Sequence, residues 1–225
     1  MIPLGDDNSA RRITPIVTYA LIALNVLVFL LELNNGEAFI QRWAFVPSRF
    51  LADPVGDLPT LFTSMFMHAG WLHLLSNMLY LWIFGDNVED RFGHGLFTVF
   101  YILCGLGATF AQLAISAGSS IPNLGASGAI AGVLGAYILM FPRSGVNVLL
   151  GRVVTRMSAL VVIGLWIVLQ IFSQIGAFTA SSQTEGGGVA YMAHIGGFFA
   201  GVILTFLLGG NRRALPASTS YRYRQ

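Results

Sequence analysis

Charge is scarce in this chain and unevenly spread, and that pattern limits its fold more than any other feature. Apolar runs fall near 14–33, 68–85, 95–117, 127–141, 158–178 and 190–208. Several approach the ~20 residues a helix needs to cross hydrocarbon. Charged residues make up 10% of the 225 and hydrophobic ones 55%, against roughly 25% charged in a soluble domain. The chain reads as an all-α polytopic membrane protein of six transmembrane helices. Net charge is only +2, with arginines scattered between loops, so nothing points to nucleic acid. The single cysteine, Cys104, lies inside an apolar run and allows no intrachain disulfide.

The first run follows Arg11 and Arg12 but exceeds the apolar core of a signal peptide, and further spans follow, so it is expected to remain as the first helix. There is no lysine. In a six-span arrangement, Arg11, Arg12, Arg91, Arg143, Arg152, Arg156, Arg212, Arg213, Arg222 and Arg224 fall on one side, and only Arg42 and Arg49 on the other. The positive-inside rule then puts both termini in the cytoplasm. The expected organisation is a cytoplasmic tail (1–13), a six-helix domain (14–208) and a basic, disordered tail (209–225). Residues 34–60 form the one long external connection, with Trp43, Phe45, Phe50 and Leu51 apolar enough to rest on the membrane.

Polar residues stand where hydrocarbon should exclude them. His73 and Asn77 lie four apart in the second run and share a helix face. Ser127 opens the fourth run, and His194 lies near the start of the sixth. Such groups usually face a bundle interior or a water-filled cavity, and each taken alone can be simple interhelical glue. Counted from the ends of their runs, Ser127 and His194 sit roughly 21 Å from the cytoplasmic face and His73 roughly 18 Å. Three polar groups on three helices thus share one level, nearer the outer surface.

Glycines make a meeting possible. Gly128, Gly132 and Ala136 form a small-residue row on the fourth run, and Ala193, Gly197 and Gly201 form one on the sixth. Such rows let helix backbones approach closely, and each begins within one residue of Ser127 or His194. A serine hydroxyl becomes a nucleophile when an imidazole takes its proton. Ser127 also starts its helix, where free N–H groups favour developing negative charge, and Asn77 and His73 could donate to the same oxyanion. All ten acids map to loops or span ends, which leaves a Ser–His dyad without a triad carboxylate.

The chain resembles the rhomboid intramembrane serine proteases of the six-span bacterial type, and the likeness runs from about 14 to 208. It rests on His73…Asn77 as H-x-x-x-N, Gly125-Ala126-Ser127-Gly128 as G-x-S-G, and Ala193-His194…Gly197…Gly201 as A-H-x-x-G-x-x-x-G. The resemblance implies Ser127 as nucleophile, His194 as general base, and His73, Asn77 and the Ser127 backbone amide as oxyanion hole. It implies single-span membrane proteins as substrates, cut in or beside the membrane, with Arg42-Trp43 in the family's first external loop. A bacterial inner membrane, with the site opening to the external side, is the expected location. Many members carry Tyr or Phe four residues after the serine, packed on the catalytic histidine. This chain has Ala131, and on spacing Tyr191 is the candidate to orient His194 instead.

No metal or other cofactor is expected, since H-E-x-x-H does not occur. The alternatives are a catalytically inactive rhomboid-like protein that binds membrane clients, or a small transporter or channel. The first typically lacks the serine or histidine, and the second usually shows repeated halves, which are not found here. His68 reads as structural or substrate-side, His94 as a solvated loop residue, and Gln170 and Gln174 as interhelical glue.

Overall fold

The computed structural model describes residues 1–179 and 190–210. Its long helices are α1 (Ile16–Asn35), α5 (Trp71–Phe92), α6 (His94–Ser116), α7 (Ser127–Met140), α8 (Ala159–Thr179) and α9 (Tyr191–Leu207). Each coincides with one apolar run to within a few residues at its start. Three of them, α1, α6 and α8, are long and apolar enough to cross a membrane, and α7 and α9 are shorter apolar helices. Between α1 and α5 the chain makes the short helices α2 (Glu37–Trp43), α3 (Pro47–Ala52) and α4 (Thr60–Thr63), followed by a 3-10 turn at Ser64–Phe66.

The central helix is α7. Every residue from Gly128 to Tyr137 is buried, as a helix apolar on all sides requires. With 14 residues it is roughly 21 Å long, short of a ~30 Å hydrocarbon core. Gly132 and Gly201 lie at the crossing of α7 and α9. A Cβ on Gly201 would collide with the Gly132 backbone, and one on Gly197 with the Gly128 carbonyl. A Cβ on Gly132 would strike Cys104 of α6 as well. The α7 and α9 backbones therefore meet where side chains would hold them apart, with the Cys104 side chain of α6 packed against the crossing.

Two features differ from the sequence reading. The first is a three-stranded antiparallel sheet, so the fold is mostly helical rather than all-α. The order is β1 (Ile2–Gly5), β2 (Gly145–Leu150), β3 (Val153–Ser158). The hairpin turns at Gly151, whose φ of 59° suits glycine, and Val146 and Val148 point inward, fully buried. The residues expected as an N-terminal tail thus supply a strand. Of the expected C-terminal tail, 211–225 lie outside the described residues.

The second difference is that α5 runs past Gly85 to Phe92, because tertiary partners satisfy its polar end. Glu89, with no exposed surface, accepts hydrogen bonds from the Val17 and Thr18 amides and the Thr18 hydroxyl, at 2.9, 2.7 and 2.6 Å. That places a carboxylate on the positive end of α1, where the first-turn N–H groups lack helical acceptors. Asp90 accepts from the Arg12 and Ile13 amides, both at 2.7 Å, and Asp86 pairs with Arg11 at 2.6 Å. His94, expected to be solvated, begins α6 with Nδ1 2.6 Å from Glu89. Gly93, at φ 76°, ends α5 and starts α6 in one residue.

Asp6 joins the sheet to the bundle. One carboxylate oxygen accepts from the Tyr137 hydroxyl and from Asn87 Nδ2, each at 2.6 Å, while the other is buried without a partner. Burial, reinforced by the nearby Asp86 charge, pushes its pKa from 3.8 up to about 6, against the pull of the Tyr137 hydrogen bond.

Two predictions follow from this packing. Gly201→Val should lower the thermal midpoint in detergent, since overpacking costs about 1–3 kcal/mol. Gly164→Ala on α8, where a Cβ meets nothing within 4 Å, should be neutral or mildly stabilising. Equal midpoints for Gly201→Val and wild type would contradict the crossing. For Asp6, the raised folded pKa means the folded state binds the proton more tightly than the unfolded chain. Its contribution is full below about 4 and is lost as pH rises through about 6. Asp6→Asn should remove that part of the slope in thermal midpoint against pH, and unchanged slopes would count against it.

Candidate functional site

Ser127 is the first residue of α7, and Gly125, at φ 136°, sets the turn that leads into it. A side chain rarely adopts that conformation, and the space is taken as well. A Cβ on Gly125 would lie 2.9 Å from His73 Cε1, 3.0 Å from its Nε2 and 3.5 Å from Ser127 Oγ. The segment is fixed from outside the helix. The Gly125 amide donates to the Ser64 carbonyl at 2.9 Å, and Phe45 and Asn123 exchange backbone bonds of 3.1 and 2.7 Å. The long connection between α1 and α5 thereby braces the approach to Ser127. Within it, Arg49 pairs with Asp57 at 2.7 Å.

Across the α7–α9 crossing, His194 Nε2 lies 2.9 Å from Ser127 Oγ. These two sequence candidates are brought together. His73 stands against Gly125 beside them, and its Nδ1 accepts from the Ala69 amide at 3.3 Å. In the neutral ring that leaves the proton on Nε2, the atom next to Gly125. Asn77, one turn further along α5, is buried with its Nδ2 unpartnered. A buried donor without an acceptor is costly, so this amide has a hydrogen bond to give. A cavity of about 50 Å³ opens beside Ser127, bounded by Phe45, Met65, Gly105, Ala108 and Gly128.

The other ring nitrogen of His194 has a partner the sequence reading missed in this role: Nδ1 lies 2.8 Å from Gln170 Oε1 on α8. The indole of Trp166, one turn earlier on α8, packs on the same imidazole with centroids 5.7 Å apart. Tyr191, the residue expected to orient His194, makes no ring contact with it among the described residues. Trp166 and Gln170, four apart, share a face of α8 with the buried Ile163, Ile167 and Gln174, a spacing that fits interhelical glue equally well. His68 is 1% exposed, with its ring set edge-on to His73 at 5.1 Å, which gives it a packing contact with the site. No group of three or more His, Cys, Asp or Glu able to hold a metal occurs among the described residues.

Membrane-length apolar helices define an integral membrane protein, and its polar cluster lies inside the bundle at the start of a buried helix. Residues 55–211 match the Rhomboid domain, and the chain belongs to the rhomboid family. It is 33% identical over 197 residues to rhomboid protease GluP of Bacillus subtilis, covering 87% of this chain and 35% of that one. It is 29% identical to the mitochondrial Rhomboid protein 1 of Saccharomyces cerevisiae, over 83% of this chain and 51% of the other. For rhomboid protease GlpG of Salmonella newport the figures are 26%, 85% and 62%. The chain therefore spans between about a third and three fifths of these relatives' lengths.

Gly125→Ala should be destabilising, because it places a Cβ at positive φ and against His73 at once. Thermal unfolding in detergent should show a lower midpoint than wild type, and an unchanged one would mean the turn relaxes freely.

Proposed function

We propose that this protein is an intramembrane serine endopeptidase that cleaves single-span membrane proteins in or near their transmembrane segment. The observation that carries the reading is the 2.9 Å contact between Ser127 Oγ and His194 Nε2. His194 Nε2 takes the hydroxyl proton as Oγ bonds to the scissile carbonyl carbon, and the carbonyl electrons move onto oxygen. The Ser127 amide at the start of α7, Asn77 Nδ2 and His73 Nε2–H are the donors for that oxyanion. The protonated His194 then gives its proton to the leaving amine, and a water, activated by the same imidazole, releases the acyl group.

In this reading all six long helices cross the bilayer and both termini are cytoplasmic, as the arginine distribution favours. The sheet then lies on the cytoplasmic side, and the dyad opens towards the external side of a bacterial inner membrane. The lipid bilayer is the protein's immediate partner. Its relatives GluP and GlpG carry the name protease, and the retained serine and histidine favour activity over a client-binding role.

A serine-directed fluorophosphonate should label the wild-type protein and not Ser127→Ala. Ser127→Ala and His194→Ala should each abolish cleavage of a single-span substrate in liposomes, because the two act as one unit. Asn77→Ala should keep residual turnover, reduced about 10²–10³-fold, as one donor of several is lost. Mass spectrometry of the products should place the cut towards the outer side. Cleavage by Ser127→Ala would overturn the mechanism, and cuts confined to the cytoplasmic flank would overturn the orientation.

A further inference from the structure

We propose that Gln170 is the positioning residue of this site, fixing the tautomer and ring orientation of His194 through a hydrogen bond from Nδ1–H to its side-chain carbonyl. The inference rests on the protease reading for its catalytic consequence, though not for its geometry. A Gln oxygen only accepts, so the ring nitrogen facing it at 2.8 Å carries the proton. A neutral imidazole protonated at Nδ1 has its lone pair on Nε2, the atom 2.9 Å from Ser127 Oγ. The bond on one side of the ring thus prepares the other side to accept the serine proton.

Trp166 restricts the same ring by a different contact. Its indole packs at 5.7 Å and 37° to the imidazole, one helical turn before Gln170. Residues four apart on a helix share a face, so α8 presents a flat surface and a hydrogen-bond acceptor together. Ala131, buried on α7, has no ring to offer in that place. The buried residues on the same side of α8, Ile163, Ile167 and Gln174, set the rotation of the helix. Gln170 is therefore held towards α9 by its own helix packing.

An amide suits this depth better than a carboxylate. Burying an unpaired charge in hydrocarbon is costly, whereas a neutral carbonyl costs far less. During the reaction Nδ1–H stays on His194 and Gln170 receives no proton. Nε2 gains the proton from Ser127 Oγ, and the hydrogen bond to Gln170 then has a charged donor, which strengthens it. The stabilisation is greatest when the imidazolium forms, the condition for raising turnover rather than binding.

Two measurements test this separately from the protease reading. The first needs no turnover: nitrogen NMR of protein labelled at its histidines, with His194→Ala identifying the resonance. Wild type should show His194 protonated at Nδ1, and Gln170→Leu should lose that preference. A wild-type His194 protonated at Nε2 would overturn the proposal even in an active enzyme. The second is kinetic, in liposomes with variants matched for thermal midpoint. Gln170→Leu should lower kcat about 10²-fold with KM nearly unchanged, and Gln170→Glu, which keeps an acceptor, should recover most of that loss. Wild-type kcat in Gln170→Leu, a change in KM alone, or equal losses in the Leu and Glu variants would each overturn it. If Ser127→Ala cleaves as well as wild type, the protease reading fails, and the NMR result still decides the role of Gln170.

Discussion

The backbone contact between α7 and α9 is the constraint on which the site depends. Ser127 and His194 are 67 residues apart in sequence, on two helices whose axes must nearly touch for a 2.9 Å bond to form. Gly197 against Gly128 and Gly201 against Gly132 supply that approach, with Thr205 turned back to bond the Gly201 carbonyl at 2.7 Å. In a bilayer there is no hydrophobic force between apolar helices, so close packing and polar contacts decide which surfaces meet. The glycine rows provide the first, and the serine–histidine bond provides the second.

The two ends of the bundle solve opposite problems. At one end, Asp86, Glu89 and Asp90 each accept hydrogen bonds from the chain's first eighteen residues, and Glu89 links α1, α5 and α6. A buried ionised carboxylate is costly unless its oxygens are bonded, and both Glu89 oxygens are, whereas Asp6 meets burial with a raised pKa. At the other end the polar groups are left with capacity to spare: Asn77 has an unused donor and a cavity opens beside Ser127. A fully satisfied network rigidifies, whereas an unsatisfied donor in a confined space is suited to a group that arrives later. The frame is held at one end, and the serine–histidine contact sits at the other.

The connection from α1 to α5 serves the site from outside the bundle. Its bonds to the segment before Ser127, through Phe45, Ser48 and Ser64, fix the turn that starts α7. Arg49 stiffens the connection by pairing with Asp57 and by donating to the Gln41 and Ala44 carbonyls. A serine at a helix start is only as well placed as the backbone that precedes it, and here that backbone is tied on both sides.

Apolar length and helical spacing are local properties, so the six helices and the shared level of Ser127, His194 and the glycine rows were legible in the sequence. The family resemblance read from three motifs holds over residues 55–211. The remaining features depend on partners far away in the chain. Val146 and Val148 are buried on either side of the exposed Asn147, yet β2 becomes the middle strand only because Ile2–Gly5 arrives beside it. The end of α5 could not be placed at Phe92 without knowing that α1 offers free amides to Glu89. Gln170 carried no mark separating it from ordinary interhelical glue. Its bond to His194 exists because α8 turns that one polar side chain towards α9, and helix rotation is set by packing on every side at once.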